Sequence, residues 1–138
     1  MELVVIETDK YTVAAVLKNG TCEATEFLEG LEEKTYRGSV DGLYALMDLV
    51  SKAGLQDIST KLSHCVNEEE KIYEFIKGRL RLFYFKGKGD LLVICTGGVI
   101  KKTQKVDEKQ VARAVALKKQ YLQAVKNSTL VIKDNDES

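Results

Sequence analysis

The 138-residue sequence has no proline and no tryptophan, a single histidine, and three cysteines, Cys22, Cys65 and Cys95. Each shortage excludes something. Without proline, turns must be made by Gly, Asn, Asp and Ser. One histidine, His64, argues against a zinc site and against a histidine-dependent triad; in its polar surroundings it reads as a solvated loop side chain that could in principle reach a site. The cysteines are odd in number, scattered and at no metal-ligand spacing, so a reducing cytoplasm is expected rather than a disulfide framework. No run of ~18 apolar residues could span a membrane, and the N-terminus lacks a basic-then-apolar signal pattern. Gly97-Gly98 is too short for a dinucleotide or P-loop pattern and reads as a strand-end bend. No pair of carboxylates stands out, and "NEEEK" reads as a solvated loop. These exclusions leave one cytoplasmic domain over residues 1–138, with no cofactor, no metal, no membrane partner, and a frayed acidic tail over 127–138.

What the chain does have is charge, unevenly placed. Lys+Arg and Asp+Glu number 21 each, yet residues 1–70 carry 6 Lys+Arg against 14 Asp+Glu, a balance of −8. Residues 71–126 carry 14 against 4, or +10, and residues 127–138 carry 1 against 3, or −2. A basic module of this kind is the electrostatic footprint of a polyanion ligand. The alternative is an acidic and a basic half that neutralise each other in the fold.

Apolar periodicity gives an outline. "ELVVIETDKYTVAAVLKNG" reads as a hairpin or bent strand pair around Thr8-Asp9-Lys10, closed by Asn19-Gly20. Ala24, Phe27, Leu28 and Leu31 form one face of a short helix capped by Thr21. Leu43, Leu46, Met47 and Val50 mark a second, capped by Ser39 and stopped at Gly54. "QDISTKLSHCVNEEEK" reads as an exposed loop. "KIYEFIKG", "RLRLFYFKGKGD" and "LLVICTGG" then read as three strands of an antiparallel meander, with Leu80, Leu82 and Tyr84 on one face and Arg79, Arg81, Phe83 and Phe85 on the other. Asp107 and Gln110 fit a capping box for a last helix whose apolar side is Val111, Ala114, Val115, Leu122 and Val125. "TLVI" near the end could add a short edge strand. The expected class is α+β, with helices on a mainly antiparallel sheet.

Within that outline the lysines of "GGVIKKTQKVDEKQ" follow the last meander strand, and Arg79 and Arg81 lie on the strand paired with it. Guanidinium forks and ammonium groups converging there would make a concave basic site for phosphate. Neighbouring rings, Tyr84, Phe83 and Phe85, offer stacking for single-stranded RNA, although Phe83 and Phe85 are first read as core.

The run "IYEFIKGRLRLFYFKGKGDLLVICTGGVIKKTQKVDEKQVARAVALKKQYL", residues 72–122, resembles the RelE/HigB superfamily of toxin endoribonucleases. It is most similar to the phage-derived host-toxin branch, which reads Leu-Tyr-Glu-Leu-Arg, then Tyr-Arg-Val-Phe-Tyr, an apolar strand and Lys-Lys-Thr-x-Lys before a terminal helix. "EFLEGL" and the second helix are similar more loosely. The resemblance implies a RelE-like α+β fold and an mRNA interferase of a type II toxin–antitoxin system. Such a protein cleaves mRNA on the ribosome by metal-independent attack of a ribose 2′-OH, and its partner is an antitoxin with a helix-turn-helix domain. It further implies catalytic roles for Arg81, Lys102 and Lys105, and RNA contacts from Arg79, Lys101, Lys77 and Lys61. The chain departs from the branch at Ile76, where an arginine is common, at "CTGGV", which lacks a histidine, and at Val106-Asp107, where a proline is usual. Those departures favour an alternative, a non-catalytic RNA- or protein-binding adaptor of phage origin on the same fold. A third reading has the basic face docking an acidic segment of a partner protein.

Overall fold

The computed structural model describes residues 1–134. Strands β1 (Glu2–Thr8) and β2 (Thr12–Leu17) form the expected antiparallel hairpin, and β2 leaves through Asn19 and Gly20, both at positive φ. Helices α1 (Glu23–Glu29) and α2 (Glu33–Ala53) follow, then β3 (Ser63–Asn67), the meander β4 (Ile72–Lys77), β5 (Leu80–Lys86) and β6 (Leu91–Ile100), helix α3 (Glu108–Lys126), and β7 (Val131–Lys133). One seven-stranded sheet runs in the order β3-β4-β5-β6-β2-β1-β7. Its pairs are antiparallel except β2 with β6 and β1 with β7. The α+β, mainly antiparallel architecture is therefore the one expected.

Several details differ from the sequence reading. Helix α1 is capped at Cys22, not Thr21. Helix α2 begins six residues before Ser39: Tyr36 and Val40 extend its buried side against the core, and Arg37 pairs with Glu33 and Asp41 at i,i+4 on its exposed side. Gly54 does end it, at positive φ, with its N–H on the Val50 carbonyl. The supposed loop contains an edge strand, β3, fixed by pairing with β4 and by the Ser63 hydroxyl 2.7 Å from that of Tyr84. Gly97 and Gly98 lie inside β6, beside a bulge where the register with β5 shifts between Phe83 and Tyr84, and they admit close neighbours. A Cβ on Gly98 would collide with the Phe27 ring of α1. The buried stripe of α3 is Val111, Ala114, Leu117, Tyr121 and Ala124, and Leu122 points outward at 41% exposure. The short edge strand near the end is present as β7, held by the Val131 N–H on the Met1 carbonyl. Residues 135–138 of the expected tail lie outside the described residues.

Helices α1 and α2 cover one face of the sheet, packing Leu43, Met47 and Val50 on Phe75, Leu82 and Tyr84. Helix α3 covers part of the other face, setting Leu117 and Tyr121 against Ile72, Phe85 and Ile94. Both layers bury large apolar side chains, each giving roughly 1.5–3 kcal/mol of gross stabilisation. The sheet is left open beside the N-terminus of α3, where the β4–β5 turn and the end of β6 meet.

Candidate functional site

The period of two in β5 places the site. Leu80, Leu82 and Tyr84 are buried under α1 and α2, so Arg81, Phe83 and Phe85 face the α3 side. Phe85 lies under α3 with its ring 5.5 Å from that of Tyr121. Phe83 and Arg81, nearer the β4–β5 turn, lie beyond the helix's cover and line a cleft of about 400 Å³. The cleft's other walls come from Lys101, Lys102 and Lys105 after β6 and from the first turn of α3. Asp107 caps that turn by accepting from the Gln110 N–H at 3.0 Å. The reciprocal half of the expected capping box is not made, since Gln110 Oε1 is buried with no hydrogen-bond partner among the described residues. The lysine segment is fixed at its root, where the Lys101 N–H donates to the Arg79 carbonyl at 2.6 Å. Two sequentially distant cationic groups thus share one concavity.

Arg81 is held on one side and free on the other. Its Nη1 donates to the carbonyls of Gly78 at 2.8 Å and Leu80 at 2.9 Å, which ties the guanidinium back to its own hairpin. Gly78, first in the two-residue turn and at φ 56°, lets the carbonyl turn toward it. The buried Nε–H has no hydrogen-bond acceptor among the described residues. The nearest carboxylate oxygen, Glu74 Oε1, stands 3.8 Å away, an ion pair rather than a hydrogen bond. A buried, unsatisfied guanidinium N–H beside a cleft suits a ligand oxygen.

Glu74 is the residue that the sequence reading left without a role. It pairs across the sheet with His64 on β3 and Phe83 on β5, which puts its carboxylate on the α3 side and 94% buried at the cleft floor. Burial raises its carboxyl above the ordinary glutamate value, against the opposing pull of His64, Arg81 and Lys101. A buried acid whose proton is held more tightly is a candidate for proton transfer. Its signal was in "IYEFIK": with Tyr73 and Phe75 turned to the core, Glu74 and Ile76 had to share the face of Arg81. His64 is no solvated loop residue, because the edge strand brings its Nδ1 to 3.4 Å from Glu74 Oε1. Among the described residues, no three His, Cys, Asp or Glu side chains cluster to hold a metal.

The structure brings together Arg81, Lys101, Lys102 and Lys105 of the expected site, and not the rest. Arg79 is exposed in the β4–β5 turn and reaches the group through its carbonyl. Lys77 belongs to the opposite face, its stem lying over Gly42 of α2. Lys61 is exposed in the turn before β3, its N–H on Ser59 Oγ, and does not line the cleft. Nor do the acidic and basic halves neutralise each other by contact. Among the described residues, Arg113 with Glu23 at 2.8 Å is the ion pair joining a lysine or arginine of 71–126 to a carboxylate of 1–70.

The family model described as "Phage derived protein Gp49-like (DUF891)" matches residues 26–119, about two-thirds of the chain. The chain belongs to that family. No curated protein matches the chain. The Gp49-like match begins at the "EFLEGL" of α1 and runs through both helices, the meander and the lysine segment into α3, so it contains every wall of the cleft. It agrees with the phage-derived origin read from residues 72–122.

Proposed function

We propose that this Gp49-like protein is the toxin of a toxin–antitoxin system, a cytoplasmic endoribonuclease that cleaves mRNA engaged with the ribosome. The observation that carries the reading is the convergence of Arg81, with its unused Nε–H, and Lys101, Lys102 and Lys105 around one cleft whose floor holds a buried carboxylate. Such a set is suited to phosphodiester cleavage by the neighbouring ribose. Glu74 takes the proton from the 2′-OH as the 2′-oxygen bonds to phosphorus. The bond from phosphorus to the 5′-oxygen breaks, and Lys102 or Lys105 delivers a proton to that leaving oxygen. Arg81 stabilises the extra negative charge of the pentavalent transition state, a contribution whose loss typically costs ~10²–10³ in rate. Phe83, almost fully buried, contributes an apolar wall to the cleft. The expected partner is an antitoxin with a helix-turn-helix domain, carrying acid to this cleft.

The test is expression in a bacterial host, with mapping of mRNA ends on programmed ribosomes. Wild type is expected to stop growth and to cut, and Arg81→Ala with Lys102→Ala to do neither. Undiminished toxicity in that double variant would remove these residues from the site. A second reading, the non-catalytic adaptor, draws on Ile76, which sits directly across from Arg81 where an arginine is common in the branch. It expects salt-sensitive RNA binding and intact mRNA under the same conditions.

A further inference from the structure

Two features beside the cleft have no part in the chemistry so far: the imidazole of His64, which reaches Glu74 from the sheet's edge without lining the cleft, and the means by which a carboxylate is kept at the cleft floor. An anion removed from water must be compensated by nearby positive charge or it takes up a proton. Arg81 supplies only part of that compensation. Its Nη1 is committed to the Gly78 and Leu80 carbonyls, and its Nε is 3.8 Å from Glu74 Oε1. The nearer cationic partner is His64 Nδ1, at 3.4 Å from the same oxygen. Lys101, beyond the end of β6, acts on the carboxylate more weakly than either.

The position of His64 is set by the backbone, not by a flexible side chain. Strand β3 pairs with β4 in a register that sets His64 opposite Glu74, with Ser63 and Cys65 facing the other way beside Tyr84 and Tyr73. A register slip of one residue would turn the imidazole to the α2 side. The imidazole is 44% exposed and the carboxylate 6%, so the pair runs from solvent at the sheet's edge to the buried floor. His64 is the chain's only histidine, and it stands beside Glu74, the buried acid of the three that line the cleft.

We propose that His64 is a positioning residue of the cleft: from the edge strand, its imidazolium holds the Glu74 carboxylate in place as an anion, and so sets the lowest pH at which Glu74 can accept a proton. The part of this that concerns proton acceptance rests on the nuclease reading; the pairing itself does not. When protonated, His64 sets a positive charge 3.4 Å from the Glu74 oxygen. Arg81, Lys101 and His64 are then all positive around Glu74, from β5, the end of β6 and β3. Loss of the imidazolium removes the nearest of the three.

The experiment is a carbon-detected NMR titration of the Glu74 carboxyl in RNA-free protein, for wild type, His64→Ala and His64→Lys, with folding checked from the amide spectrum. His64→Ala is expected to move the Glu74 midpoint to higher pH, and His64→Lys, a fixed cation at the same place, to keep it near wild type. An unmoved midpoint in folded His64→Ala overturns the proposal, whatever happens to RNA. In parallel, the acid limb of the cleavage profile on programmed ribosomes is expected to move to higher pH in His64→Ala and to return in His64→Lys. A moved midpoint with no cleavage by wild type would contradict the nuclease reading and leave the pairing of His64 with Glu74 standing. A cleavage profile unaffected by His64→Ala in an active enzyme would overturn its role in the reaction.

Discussion

The two faces of the sheet are built by the same strands and do opposite things. On the α1/α2 side, β4 and β5 turn Phe75, Leu80, Leu82 and Tyr84 into a continuous packed layer, with the Phe75 and Tyr84 rings stacked 4.2 Å apart. On the α3 side, the intervening residues are Glu74, Ile76, Arg81 and Phe83, and the helix covers only the half of that face nearer Phe85. The packed face gains from burial. The open face carries a buried acid and an unsatisfied guanidinium donor, both of which cost stability unless something binds there. A period of two in one hairpin therefore separates what holds the protein together from what it presents to a ligand, and substitutions at adjacent residues should separate the same way.

Leu82→Ala is the strongest way to test the packed side. It should cost ~2–5 kcal/mol, as large-to-small changes in dry cores do, and appear as a lower midpoint in denaturant unfolding. Its neighbour Arg81→Ala should lower that midpoint less than Leu82→Ala, through the loss of its carbonyl bonds and of a partner for Glu74, while lowering the cleavage rate ~10²–10³-fold, measured on ribosomes carrying a defined message. If both variants lost stability alike, the two faces would not be functionally distinct.

Glu74→Gln sharpens the contrast because its effect on stability should run opposite to its effect on activity. Burial makes the folded-state carboxyl hold its proton more tightly than the unfolded chain does. A raised folded value contributes stability that is present below the unfolded value, near 4.3 for glutamate, and is lost as pH rises through the raised one. The neutral amide avoids that loss, so the variant should melt at a higher temperature than wild type at pH 7, with the gap closing toward pH 4. Cleavage should fall at both. A lower melting temperature at pH 7 would mean that the pairs with His64 and Arg81 outweigh desolvation.

Ile76→Arg would add a guanidinium across from Arg81. It should tighten single-stranded RNA binding and steepen the log-log salt slope by about one, the value for one further phosphate contact. Smallest of all should be the effects of Lys77→Ala and Lys61→Ala. These cations lie off the cleft, so RNA affinity at physiological salt should stay within experimental scatter.

Much of this arrangement was visible in the amino-acid order, and the parts that were not share a cause. The alternation in "RLRLFYF" and the lysines of "KKTQK" state local facts, a strand with two chemically different faces and a charged bend after it, and both survive in the fold. Strand β3 did not announce itself because "SHCVN" is polar and its pairing is supplied by β4, a partner reached across a turn. His64 and Glu74 were each legible as residues but not as a pair, since their contact depends on that register. Lys77 was misplaced for a related reason. Its charge counted toward the basic module, while the period of two sends it, like Leu80 opposite it, to the α2 side. The start of α2 was read too late because Ser39 is a good cap by composition, while Tyr36, packed against the core like Val40, continues the helix's buried side upstream of it.

The most direct test is a comparison of two double variants, Arg81→Ala with Lys102→Ala and Lys61→Ala with Lys77→Ala, each removing two positive charges. Binding to a fluorescent single-stranded RNA is measured over a range of salt. Loss of affinity and a shallower salt slope in the first pair alone is the predicted result. Equal losses in both would mean that RNA responds to the overall charge of the basic module, and the cleft would have no special claim.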